Sequence, residues 1–306
     1  MKVLGLILLL FISGFAYSQQ DALYSQYAYN QYAINTAYAG SRSSFSGVAL
    51  HRSQWIGIKD APSLQSFTIH SPLSRTSLAY GLSVTRETLG PVTNSTFNFS
   101  LGYHIKLKKA KLSFALRGGV YQAILNRDLL TFQNESDVFR VGGSESTLVP
   151  NIDFGTYYYS SRFFAGIALN HLTNETFKFV DYPDNINWQL KTHIYFHTGY
   201  VFNLKKQIKF KPTLLVKLTE GTLPNVDLAF NFMFYKKFWL GLSLRNTSSI
   251  NFLSEWNIKE YFRIGYAYDY SINKLTTYTS GSHELFLGFD FNLKKSKNSI
   301  ISPRYL

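Results

Sequence analysis

The sequence predicts an all-β fold, an antiparallel transmembrane barrel of about 14 strands. Three features point there. Aromatic-rich segments with period-two alternation recur from Phe45 to Leu293. They are joined in turn by tight basic turns and longer polar loops. An export signal precedes them all. No segment after that signal is long and apolar enough to cross a bilayer as a helix, so spanning requires closed strands.

Residues 1–18 read as a signal peptide. Lys2 supplies the positive end, Val3 to Ile12 the apolar stretch, and Ala16-Tyr17-Ser18 the small residues before a cut at Gln19. No cysteine stands at that cut, which excludes a lipoprotein; none occurs anywhere, so disulfides, thiolate metal sites and a cysteine nucleophile are excluded too. Residues 19–44 form a leader rich in Tyr, Asn and Gln, expected as a plug in the lumen or a periplasmic cap because aromatics seek burial. Residues 45–293 form the barrel, and 294–306 a periplasmic tail.

Alternation places strands at 45–54, 64–72, 77–86, 94–107, 111–125, 151–160, 163–172, 190–204, 207–217, 224–236, 238–245, 249–257, 261–270 and 283–293. An even count puts both barrel ends in the periplasm. Connections after even strands are then short inner turns, such as Lys108–Ala110 and Lys205–Lys206. Those after odd strands are longer outer loops, among them Glu87–Thr93, Asn126–Pro150 and Thr173–Gln189, with Asn246–Ser248 the single short one.

The strand faces separate by chemistry. Phe97, Phe99, Leu101, Tyr103 and Ile105 oppose Asn98, Ser100, Gly102 and His104. The apolar set faces lipid, where a charge near the midplane costs about 2–4 kcal/mol. Arg117, Arg263, Asp269, Glu284 and Asp290 therefore point inward. They form either an ion-pair network, with Arg263 opposite Glu284 or Asp290, or a substrate contact. Aromatics make up 17% of the chain, 26 Phe and 22 Tyr, at a mean hydropathy of only −0.08, which suits a wall with one lipid face and one polar face. The net charge of +13 concentrates in inner turns, so a barrel rim explains it better than nucleic acid does.

Catalytic motifs are absent: no Gly-x-Ser-x-Gly, phosphate loop or His-Glu-x-x-His. No enzyme activity, cofactor or metal is expected. His193 and His197 share a strand face but stand roughly 13 Å apart, beyond joint chelation. Ser282 with His283 and Glu284 is the nearest thing to a hydrolase cluster.

A series of blocks resembles the PorP/SprF family of outer-membrane proteins, associated with type IX secretion and gliding motility in Bacteroidetes. They are Tyr24-Ser25-Gln26-Tyr27-x-x-Asn30, Asn35-x-Ala37-Tyr38-Ala39-Gly40-Ser41, Arg52-x-Gln54-Trp55-x-Gly57, His70-x-Pro72-Leu73, Tyr268-Asp269-Tyr270, Ser280-Gly281-Ser282-His283-Glu284 and Ser302-Pro303-Arg304-Tyr305. The family often carries proline where Gln31 and Thr36 stand here. The resemblance implies a non-enzymatic barrel partnered with a secreted protein bearing a type IX C-terminal signal, often a large adhesin, or with other secretion components. Candidate partner-binding or lumenal residues are Tyr27, Asn30, Asn35, Tyr38, Arg52, Gln54, Trp55, Arg117, Arg263, Asp269, His283, Glu284 and Asp290. Trp55 with Arg52 and Gln54 reads equally as an interface anchor or as girdle and rim. A diffusion channel or small-molecule transporter is the alternative.

Overall fold

The computed structural model describes residues 21, 23–42, 44–130, 143–177, 188–246, 248–258 and 261–292. The expected signal peptide, the tail and its Ser302-Pro303-Arg304-Tyr305 block lie outside the described residues. Fourteen antiparallel strands close into a barrel. They are β1 (Ser44–Ser53), β2 (Ser63–Pro72), β3 (Leu78–Leu89), β4 (Val92–Lys106), β5 (Ala110–Asn126), β6 (Ser144–Ser160) and β7 (Phe163–Asn170). The circuit continues through β8 (His193–Tyr200 with Phe202–Lys205, interrupted at Val201), β9 (Ile208–Thr219) and β10 (Asn225–Phe234). It ends in β11 (Phe238–Arg245), β12 (Ser249–Asn257), β13 (Phe262–Ser271) and β14 (Ser282–Asn292). Each strand pairs with its sequence neighbours, and β1 closes the ring on β14 from Ser44↔Asn292 to Ser53↔His283.

The outward face is the apolar one. Phe97, Phe99, Leu101, Leu116, Leu240 and Leu287 are exposed there, as a lipid-facing wall requires. Aromatic pairs cluster beside the inner turns: Tyr158 with Phe163, Tyr200 with Phe202, Phe238 with Trp256, and Tyr261 with Phe291. Such a belt marks the membrane–water boundary.

Two differences from the sequence reading change the shape of the outer rim. β6 starts at Ser144 rather than 151, because Pro150 sits inside a strand and disguises it. The position tolerates proline: above Phe154, β6 pairs with β5 but no longer with β7, so it is a sheet edge. Thr173 Oγ1 covers part of that edge, donating to the Pro150 carbonyl at 3.2 Å. The expected outer loop Glu87–Thr93 is instead a tight turn at Gly90–Pro91, with Gly90 at φ 54, so Asn246–Ser248 is not the single short outer connection. As a result β4, β5 and β6 stand 15 to 17 residues long and rise above the rest of the outer rim.

Residues 23–42 fill the lumen. Gln26, Tyr27, Tyr29, Tyr32, Asn35, Ala37 and Ala39 are all 2% exposed or less. The leader runs from Asp21, at the outer ends of β7 and β8, down to Arg42, at the inner end of β14. It is pinched into two 3-10 turns, Gln31–Ala33 and Thr36–Tyr38. Gln31 and Thr36 thus occupy first helical positions, where a proline would be pre-set for the turn. The second turn is held instead by Asn35, whose Oδ1 accepts the Ala37 N–H at 2.9 Å.

Wall glycines admit the leader. A Cβ at Gly155 would lie 2.3 Å from Asn35 Oδ1 and 3.0 Å from the Ala37 nitrogen. Gly155→Val is therefore expected to push the leader off the wall. The chain has no cysteine, so Ala37→Cys alone should resist a membrane-impermeant maleimide, while Ala37→Cys in the Gly155→Val background should label. Equal labelling of the two would sink the tight-fit account.

Candidate functional site: the filled lumen and the outer mouth

The leader is held by charge. Glu284 on β14 is fully buried, and its two oxygens accept the Ser25 N–H at 2.9 Å and the Gln26 N–H at 2.8 Å. Arg52, directly opposite it on β1, reaches Glu284 Oε2 at 3.4 Å and Asp269 Oδ2 at 2.8 Å. The same guanidinium donates to Ser25 Oγ at 2.9 Å, and that hydroxyl donates to Asp269 at 2.6 Å. Arg245 on β11 extends the cluster, 2.9 Å from Asp227 and 3.8 Å from Asp269, and donates to the Tyr24 carbonyl at 3.3 Å. Each carboxylate here is paired or hydrogen-bonded, without which its burial would cost several kcal/mol.

A second cluster closes the inner end. Arg263 on β13 meets Asp290 at 2.8 Å and Glu255 at 3.6 Å, while Arg42 of the leader meets Asp290 at 3.0 Å. Of the two pairings read for Arg263, Asp290 is realised; Glu284 is too far up the wall and belongs to Arg52 instead. Arg117 pairs with Asp153 across β5 and β6.

Between the clusters the leader's aromatics touch the wall one by one. Tyr27 Oη donates to the Asp227 carbonyl at 3.3 Å, and Tyr29 Oη donates to Asn231 at 3.0 Å. Asn30 donates to Thr68 at 3.3 Å, and Asn35 Nδ2 donates to the Thr156 carbonyl at 2.9 Å. Tyr38 sets its ring edge-on to His70 and Tyr157 at 5.5 and 5.4 Å. Buried Lys211 lies 4.6 Å over the Trp239 ring and donates to the Ala28 carbonyl at 3.3 Å.

At the outer mouth, the β1–β2 and β13–β14 loops are strapped together. Ile56 N–H donates to the Gly281 carbonyl at 2.8 Å, and Ser280 N–H donates to the Ile56 carbonyl at 2.9 Å. Half-buried Trp55 has a left-handed backbone, φ 51, and its N–H donates to Ser282 Oγ at 3.1 Å. Half-buried Gln54 donates its N–H to the Pro62 carbonyl at 2.9 Å. His283 stands on the outer face, 2.7 Å from the Tyr266 hydroxyl, away from Ser282, which points inward and is buried. Successive strand residues face opposite sides, so the Ser282–His283 hydrolase cluster does not assemble. Between the leader and the β2–β7 wall a polar cavity of about 80 Å3 remains.

Of the thirteen residues singled out in the sequence, Tyr27, Asn30, Asn35, Tyr38, Arg52, Arg117, Arg263, Asp269, Glu284 and Asp290 are buried inside; Gln54, Trp55 and His283 are not. Arg245 and Asp227 were missed, although both sit on inward positions and face each other in register, a signal that alternation alone contains. Ser25 and Gln26 reach the Glu284 carboxylate through backbone N–H groups, for which no side-chain pattern exists.

Arg52→Ala would strand two buried carboxylates, an imbalance worth about 3–5 kcal/mol. Denaturant unfolding in detergent should register that loss, whereas Lys274→Ala, on an exposed outer loop, should be neutral. A neutral Arg52→Ala would rule out the charge cluster as the leader's anchor.

A solved structure shares this fold. The Ralstonia pickettii toluene transporter TbuX superposes with a TM-score of 0.50 at 10% identity, over 81% of this chain and 88% of that one. The Acinetobacter baumannii outer membrane protein Omp33 superposes with a TM-score of 0.47 at 9% identity, over 81% and 99%. No curated protein matches the sequence. The family model described as type IX secretion system membrane protein PorP/SprF matches residues 16–289, which is nearly the whole barrel and its leader. The chain therefore belongs to the PorP/SprF family, as an outer-membrane β-barrel of the type IX secretion system.

Proposed function

We propose that this barrel binds a secreted protein carrying a type IX C-terminal signal, of the large adhesin type, and supports its export to or attachment at the cell surface. The observation that carries this reading is the leader. A lumen packed from mouth to base by the chain's own residues favours recognition at the rim over free diffusion through the middle. A lumenal ion-pair network, rather than a substrate contact, is the role we assign to Arg52, Arg117, Arg263, Asp269, Glu284 and Asp290, since their charges are spent on one another and on the leader.

The outer mouth offers the contact surface. Ile56, Leu129, Leu223 and Tyr278 lie on outer connections and are 39%, 61%, 88% and 73% exposed. Apolar side chains exposed on the rim suit a protein partner.

Gentle extraction of a tagged copy from native outer membranes should recover one secreted adhesin-type protein in stoichiometric amount. The double substitution Ile56→Ala with Tyr278→Ala should reduce that recovery at least tenfold while the barrel stays folded. In a planar bilayer the intact chain should be silent, and a chain lacking residues 23–42 should conduct. A barrel that purifies alone and conducts with its leader in place would move the assignment to a diffusion channel.

A further inference from the structure

Three groups from distant parts of the chain meet at the outer end of the lumen. Asp21 comes from the leader, His171 from the residue after β7, and His193 from the first residue of β8. One ligand atom from each lies within 4.8 Å of the other two. His171 Nε2 is 2.7 Å from Asp21 Oδ1, and His193 Nδ1 is 3.9 Å from Asp21 Oδ2. His171 and His193 are 5% and 2% exposed.

Each group is oriented from behind. His171 Nδ1 donates to Asn151 Oδ1 at 2.7 Å, which aims Nε2 at Asp21. His193 Nδ1, the ring nitrogen 3.9 Å from Asp21, donates to the Lys191 carbonyl at 2.9 Å, so the ring must turn to present its other nitrogen, Nε2, to an ion. That Nε2 is buried with no hydrogen-bond partner among the described residues. Tyr195 Oη donates to Asp21 Oδ2 at 2.6 Å. His171 adopts a left-handed backbone, φ 59, with its N–H donating to Asp153 Oδ1 at 2.7 Å, so the turn that presents the ring is itself held. A ring nitrogen donating to an amide or backbone oxygen is the arrangement metal-binding imidazoles show.

We propose that Asp21, His171 and His193 form a binding site for one divalent transition-metal ion of the zinc class. Two imidazoles and a carboxylate are the donors such ions select over magnesium or calcium. Donors at about 2.1 Å from a tetrahedral ion stand roughly 3.4 Å apart, against 2.7 Å and 3.9 Å for the nearer nitrogens of His171 and His193 from the Asp21 oxygens. Asp21 and His171 also line the polar cavity, which leaves room for a water on the fourth position. The ion would latch the leader's start to the mouth, where Ser25 and Glu284 hold it only a turn further on. The plain competitor is an ion pair between protonated His171 and Asp21, which leaves the buried His193 Nε2 unexplained.

The test uses the full chain, purified from membranes without a polyhistidine tag, stripped with chelator and dialysed against zinc. One zinc per chain by mass spectrometry of the metal is expected, with affinity lowered by about 100-fold in His193→Gln and in Asp21→Asn, since loss of outer-shell partners alone costs about 10–100-fold. Absence of stoichiometric zinc, or unchanged affinity in both variants with the barrel folded, overturns the site and leaves a salt bridge only. Should the variants fail to fold, titration of the unsubstituted chain with cobalt(II) decides. Intense visible bands of a four-coordinate ion support the site; a weak six-coordinate spectrum refutes it.

Discussion

Everything in this molecule depends on one demand of the bilayer: no backbone N–H or C=O can be left open to hydrocarbon. The β1–β14 pairing meets it by turning the sheet into a ring. Once the ring closes, side chains divide into an outer set that must be apolar and an inner set that need not be. The alternation of Phe97, Phe99 and Leu101 with Asn98 and Ser100 is the direct imprint of that division.

The inner set then creates a second demand. Arg52, Asp227, Arg245, Asp269 and Glu284 stand close together in a lumen with little water, so each needs a partner. The wall supplies part of this, through cross-strand pairs such as Arg52 with Glu284 and Asp227 with Arg245. The leader supplies the rest with its backbone N–H groups at Ser25 and Gln26 and the Ser25 hydroxyl. Barrel and leader therefore stabilise each other. The polar lumen attracts the leader, and the leader removes the cost of the polar lumen.

The proposed function follows from what this leaves accessible. With the interior committed to the leader, the exposed chemistry is at the rim, where the loops carrying Ile56 and Tyr278 are tied to one another by backbone hydrogen bonds. A preformed rim loses less conformational entropy on binding than a loose one. The tall β4–β6 wall adds one-sidedness to that rim.

Strand identity, strand count and the inward placement of Arg117, Arg263, Asp269, Glu284 and Asp290 are legible in the sequence, because period two is a local property of an extended backbone. Its failures are local as well. Pro150 looks like a loop residue until the missing β7 partner shows it on an edge, and Gly90–Pro91 looks like the centre of a longer loop. Pairing partners are another matter. His193 invites comparison with His197, four residues on, while the ring it meets is His171, brought near by a loop whose closure no pattern encodes. The sequence by itself determined a closed membrane barrel with a polar inside and an aromatic leader, since bilayer solvation acts on each residue in turn. Only the tertiary structure decided where the leader goes, which charge meets which, and that Asp21, His171 and His193 converge, because those contacts join segments up to about 260 residues apart and depend on the shape of the ring.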